Sequence, residues 1–96
     1  MIVDDRPVIR IEYCTKCRWM IRASWLAQEF LSTFESELGG VTIAPAREDS
    51  VFDISIGDEL LWSRKAEGRF PQIKEIKQRI RDRVAPGRDL GHIDKE

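Results

Sequence analysis

Apolar and polar residues alternate from Val8 to Tyr13, with Ile9, Ile11 and Tyr13 on one face and Val8, Arg10 and Glu12 on the other, so this segment reads as a half-buried strand. The period then changes. From residue 18 to residue 38 the apolar positions Met20, Ala23, Ala27, Phe30, Leu31, Phe34 and Leu38 recur three or four apart, which predicts a helix stopped by Gly39 and Gly40. Residues 41–44 predict a second strand ended by Pro45, and residues 46–50 a polar loop. Two further strands, 51–56 and 59–63, flank Gly57 and Asp58, a two-residue hairpin turn with glycine first. After a charged loop over 64–69, Phe70 and Pro71 open a second helix whose inner stripe is Ile73, Ile76, Ile80 and Val84, and Pro86-Gly87 ends it.

The order is βαβββα, and the first strand-helix-strand unit implies a parallel crossover. Asp53 and Ser55 alternate against Phe52, Ile54 and Ile56 just as Arg10 and Glu12 alternate against Ile9 and Ile11, so one sheet face is polar. Both helices then belong on the other face. The expected fold is a two-layer α/β sandwich with a four-stranded mixed sheet, occupying residues 1–85, followed by a polar, loosely docked tail over 86–96.

The 96 residues make one domain, and 42% apolar with 34% charged residues describe an ordinary globule. A formal net charge of -1 gives no global attraction to nucleic acid or anionic lipid. The opening residues are too acidic and too poor in apolar length for a secretory signal, and no window is long enough to span a bilayer, so a cytoplasmic location is expected.

Chemistry concentrates at Cys14-Thr15-Lys16-Cys17, between the first strand and the first helix. In a reducing compartment a two-cysteine protein gains little from a structural staple, and a ring this small removes little unfolded-state entropy. A redox pair is the stronger reading. Lys16, Arg18 and Arg22 surround the cysteines, no carboxylate lies between Tyr13 and Gln28, and the helix start adds partial positive charge, all of which favour thiolate. With Cys14 at the helix entry and Cys17 in the first turn, Cys14 is expected to be the more exposed sulfur and to attack, with Cys17 resolving. The alternatives are zinc binding or two inert thiols; for zinc the chain offers only these two cysteines and His92 in the tail, so a metal site would need a second chain or borrowed carboxylates, and His92 reads as an ordinary tail residue. No metal or cofactor is expected.

Longer motifs surround the cysteines: Tyr13-Cys14-Thr15-Lys16-Cys17-Arg18-Trp19, Arg22-Ala23-Ser24-Trp25, Trp62-Ser63-Arg64-Lys65, Gly68-Arg69-Phe70-Pro71 and Gly87-Arg88-Asp89-Leu90-Gly91-His92. Jointly they resemble the selenoprotein W-related family, the Rdx group of the thioredoxin-like superfamily, and most closely its bacterial cysteine-containing members. The resemblance implies a thioredoxin-like domain and a thiol or selenol oxidoreductase role linked to glutathione and antioxidant defence. In selenocysteine-containing members the selenium occupies the position matching Cys17, which leaves the nucleophile open between Cys14 and Cys17. Two departures stand out. Many relatives have a glycine-rich turn where this chain reads Ala46-Arg47-Glu48-Asp49-Ser50, and a second glycine where it has Arg69. Thioredoxins also hold a cis-proline beside the cysteines; Pro45 is the one proline at a suitable strand end, and it reads better as a strand terminator.

Two features remain. Ile21 and Trp25 lie off the main helical stripe and form a second apolar patch, either covered by the tail or by Trp62, or free to dock a protein substrate or a second copy of the chain in a homodimer. Basic residues outnumber acidic ones between Arg64 and Arg83, but no aromatic interleaves them on the helix, so a solvated face accounts for the run better than nucleic acid does. Expected partners are a thiol or disulfide protein substrate or glutathione, with neither nucleic acid nor membrane. A redox-responsive binding module without turnover is the alternative function.

Overall fold

The computed structural model describes residues 4–91. Four strands, β1 (Val8–Tyr13), β2 (Gly40–Pro45), β3 (Phe52–Ile56) and β4 (Glu59–Ser63), form one sheet in the order β2-β1-β3-β4. Helix α1 (Met20–Thr33) carries the chain from β1 to its parallel neighbour β2, and the longer of two later helices, α3 (Ile73–Val84), follows β4. Between them α2 (Arg64–Glu67) is one helical turn where a charged loop was expected. Arg, Lys, Ala and Glu are all good helix formers, and Gly68, at φ 79°, closes the turn by donating its N–H to the Arg64 carbonyl at 2.7 Å.

Register explains the layering. In the antiparallel β1–β3 pair Ile9 faces Ile56 and Ile11 faces Ile54, while Arg10 faces Ser55 and Glu12 faces Asp53. The isoleucines form one face, which packs with Ala23, Leu26, Ala27 and Phe30 of α1 and Ile76 and Ile80 of α3 into a single core. Arg10, Glu12, Asp53 and Ser55 lie on the opposite face. The domain is therefore the two-layer, thioredoxin-like α/β sandwich, a mixed sheet with both helices on one side. Burial of each large apolar side chain contributes about 1.5–3 kcal/mol to this arrangement.

Gly57 and Asp58 make the hairpin turn, with Gly57 at φ 56°. Alternation fails in β4. Ser55 pairs with Leu60 but Ile54 pairs with Trp62, so Leu61 is an extra, bulged residue, and Leu61 and Trp62 are both buried although adjacent. The Trp62 indole N–H donates to the Arg69 carbonyl at 3.1 Å, and the guanidinium groups of Arg69 and Arg79 stack on its ring.

Helix α1 is shorter at both ends than the apolar spacing predicts. At its end the chain leaves helical geometry at Phe34 and makes a further turn, Leu38 N–H donating to the Phe34 carbonyl, which still buries Phe34 and Leu38. Gly39 then passes so close to the neighbouring backbone that a Cβ would sit 2.7 Å from the Arg6 carbonyl oxygen. Met20 and Leu31, expected on the inner stripe, are exposed, and Leu26 is buried in their stead. Met20 lies at the cysteine end of the helix, where it borders Tyr13 and Thr15 instead of the sheet-covering stripe.

Charge also crosses the helical layer. Lys77 of α3 is only 5% exposed and donates to Glu29 of α1 at 3.0 Å. Other basic residues of the 64–83 run meet carboxylates: Arg69 with Glu75, Arg79 with Glu67 and Arg83 with Glu59. Beyond α3, Leu90 packs against the core and Arg88 pairs with Glu37. His92 lies outside the described residues.

Candidate functional site

The two cysteines sit where β1 ends and α1 has not yet begun. Cys14 N–H donates to the Val51 carbonyl at 2.8 Å, and Ala46 N–H donates to the Tyr13 carbonyl at 2.9 Å, so the end of β1 is held from both neighbouring strands. Residues 15–18 then form a turn in which Arg18 N–H donates to the Thr15 carbonyl at 3.3 Å. Arg18 adopts φ 59°, a left-handed conformation that costs an L-residue about 1–2 kcal/mol. The other non-glycine residue with positive φ among those described is Ser50, directly before Val51. Both strained residues thus flank the cysteine turn, and Ser50 stands in the segment where many relatives carry glycine.

The turn brings Cys14 and Cys17 into a disulfide, with Cα atoms 5.3 Å apart, within the ordinary range for such bonds. Their exposures reverse the expectation. Cys14 is 1% exposed, whereas Cys17 is partly open to solvent. The reason is local. The helix starts at Met20, so Cys17 lies on the turn ahead of it and not within its first turn, while Cys14 continues β1 and is tied to β3.

Lys16 and Arg18 flank Cys17 in the chain, and Arg22 lies in the first turn of α1. Trp19 caps α1 with no side-chain hydrogen bond to the first-turn amides, and that turn contains no acidic residue. The α1 N-terminus and the basic residues Lys16, Arg18 and Arg22 thus make the surroundings of the cysteine turn electropositive. Lys16 is partly offset by Asp49, 3.7 Å away, but both side chains are largely exposed and the pair is weak.

An aromatic cluster supports the turn from below. Trp19 meets Phe70 edge to face with centroids 4.9 Å apart and Phe52 at 6.2 Å. Arg22 lies 3.9 Å above the Phe70 ring, and Arg64 lies 4.9 Å from Trp19 and 5.0 Å from Phe70. Arg64, at the start of α2, is a site residue that spacing does not reveal; what pointed to it is its place in the motif Trp62-Ser63-Arg64-Lys65. Its Nε is buried without a hydrogen-bond partner.

The Ile21 and Trp25 patch stays open: Ile21 is 81% and Trp25 49% exposed. Trp62 does not cover it, because Trp62 is buried in the core. Peptide bonds are all trans among the described residues, Pro45 included, so no cis-proline borders the cysteines. Among the described residues no cluster of histidine, cysteine and carboxylate side chains is arranged to hold a metal, and no helix is long and apolar enough to cross a membrane.

Fold and site together define a thioredoxin-like domain with a CxxC pair at the junction of its first strand and helix. The family model described as the Rdx family matches residues 8–82, and the chain belongs to that family. Among solved structures it is similar to a protein from Bordetella parapertussis, 48% identical over 80% of this chain and 96% of that one, with a TM-score of 0.77. It is likewise similar to a selenoprotein W-related protein from Vibrio cholerae, 41% identical over 83% of this chain and 99% of that one, with a TM-score of 0.79. No curated protein matches the chain. The family and these neighbours agree with a redox-related role.

Proposed function

We propose that this chain is a thiol-disulfide oxidoreductase of the cytoplasm in which Cys17 attacks and Cys14 resolves. The observation that carries the reading is the asymmetry of the pair: two sulfurs within bonding reach in one short turn, one buried and the other partly open to solvent. In the dithiol form the Cys17 thiolate attacks one sulfur of a substrate disulfide, and the first substrate thiolate leaves and takes up a proton. Cys14, as thiolate, then attacks the Cys17 sulfur of the mixed disulfide and expels the second substrate thiol. The substrate gains two electrons and two protons, and the protein is left as the Cys14–Cys17 disulfide. Substrate classes consistent with this chemistry are a protein disulfide or glutathione disulfide. Reduced thiols of the cytosolic pool, running the same steps backwards, restore the dithiol.

The test is a redox titration in dithiothreitol buffers, with alkylated thiols counted by intact mass. A reversible two-electron transition within reach of the cytosolic thiol pools is the expected result; cysteines that never pair would overturn it. The exposed Ile21, four residues from Cys17, favours a second reading, a binding module whose partner affinity follows the state of the disulfide. Such a module shows the same titration but no turnover with a general disulfide substrate.

A further inference from the structure

Among the described residues most arginines are matched by a carboxylate; Arg47, exposed in the loop after β2, is not, and neither are three arginines around the cysteine turn. Arg10 pairs with Glu12, Arg69 with Glu75, Arg79 with Glu67 and Arg83 with Glu59. Arg18, Arg22 and Arg64 contact no carboxylate among the described residues; Arg22 and Arg64 lie on aromatic rings instead, and Arg64 keeps a buried Nε unsatisfied. Two adjoining hollows open on the same surface. One, of about 370 Å³, is lined by Tyr13, Thr15, Arg18, Met20 and Ile21. The other, of about 360 Å³, is lined by Arg18, Trp19, Ile21, Arg22 and Trp25. Arg18 and Ile21 form the ridge between them, next to Cys17.

An exposed apolar ridge with Arg18 and Arg22 in its hollows and Arg64 packed on Trp19 at the second hollow's wall, none met by a carboxylate, is complementary to a ligand that is apolar and anionic at once. Two hollows side by side exceed what one small anion fills. We infer that this surface docks an acidic protein segment bearing an apolar residue, which presents its disulfide to Cys17. The apolar residue rests on Ile21 and Trp25, and flanking carboxylates meet Arg18, Arg22 and Arg64. This inference rests on the oxidoreductase reading and names the substrate class of that same site. Planar guanidinium groups suit carboxylate recognition by paired hydrogen bonds, and the aromatic rings beneath Arg22 and Arg64 restrict them before the ligand arrives.

Docking is tested apart from redox chemistry. The probe is a short fluorescein-labelled peptide with one phenylalanine, several glutamates and no cysteine, compared by anisotropy with a counterpart in which lysines replace the glutamates, on the oxidised protein at low salt. The acidic peptide is expected to bind about tenfold tighter, the scale of three exposed charge contacts, with the preference shrinking as salt rises. Arg18→Gln with Arg22→Gln should bring the two peptides within about twofold, and Ile21→Ser, at a position too exposed to affect folding, should weaken both. Equal affinities in the parent protein, or a preference that survives the double substitution, would overturn the inference. Full displacement by oxidised glutathione would also overturn it by making the surface a small-anion site, as would a concentration-dependent homodimer that occludes Ile21. Because no probe carries sulfur, failure here leaves the thiol titration standing, and failure of that titration leaves these affinities interpretable.

Discussion

Removing the carboxylate of Glu29 leaves an ammonium group in the helical layer with no counter-charge. Lys77 is 5% exposed and its Nζ lies 3.0 Å from Glu29 Oε1, joining α3 to α1. Breaking a fully buried pair from one side costs about 3–5 kcal/mol. The Glu29 side chain is 34% exposed, so water reaches that end of the pair and the cost of Glu29→Gln is reduced to about 2 kcal/mol. For a domain of this size that lowers the melting temperature by about 10 °C and the urea midpoint by about 2 M. The double variant Glu29→Gln with Lys77→Met removes the stranded charge and puts an apolar chain of similar length in its place, so it should recover most of the loss. Urea unfolding of all three proteins, followed by far-ultraviolet circular dichroism, is the assay. A loss below about 0.5 kcal/mol in the single variant, or a double variant less stable than the single, would refute the argument that this pair is desolvated.

Two further outcomes follow from local geometry. Glu75 accepts from both Arg69 guanidinium nitrogens, at 2.5 and 3.1 Å, and from Gln72 N–H at 2.7 Å, which together hold its carboxyl well below the usual range, at about 2. A depressed folded-state value means the stabilisation is present above the unfolded value of about 4.5 and is lost as pH falls from there toward 2; Glu75→Gln should therefore cost about 1 kcal/mol at neutral pH and flatten that limb of a stability-versus-pH curve. Gly39→Ala forces a Cβ to within 2.7 Å of the Arg6 backbone oxygen and should destabilise by about 1–3 kcal/mol in the same unfolding assay, whereas an unchanged midpoint would show that the chain there yields freely.

Local patterns carried most of the fold. Strand β1 and the inner stripe of α3 are periodic over several residues, and glycine or proline marks the β3–β4 turn and the end of α3, so their reading needed no tertiary information. What spacing does not encode is set by tertiary fit. The left-handed Arg18 delays the helix start to Met20, and nothing in the identity of an arginine announces that conformation. This delay, together with the bond from Cys14 to Val51, reverses the expected exposure of the two sulfurs. The bulge at Leu61 breaks alternation only because Ile54 and Ser55 pair out of step across the hairpin. Arg64 reaches the site through space and not through any periodic relation to Cys17, while Lys77 was indistinguishable from its solvated neighbours until α1 placed Glu29 beside it.

The claim that Cys17 attacks and Cys14 resolves is tested most directly by trapping mixed disulfides with Cys14→Ser and Cys17→Ser, each incubated with a small symmetrical disulfide and analysed by intact mass under non-reducing conditions. Cys14→Ser, which keeps the open sulfur and lacks its resolver, should accumulate one adduct at Cys17, and Cys17→Ser should accumulate little over the same time. Predominant trapping in Cys17→Ser would contradict the assignment of roles, and trapping in neither would contradict thiol exchange at this site altogether.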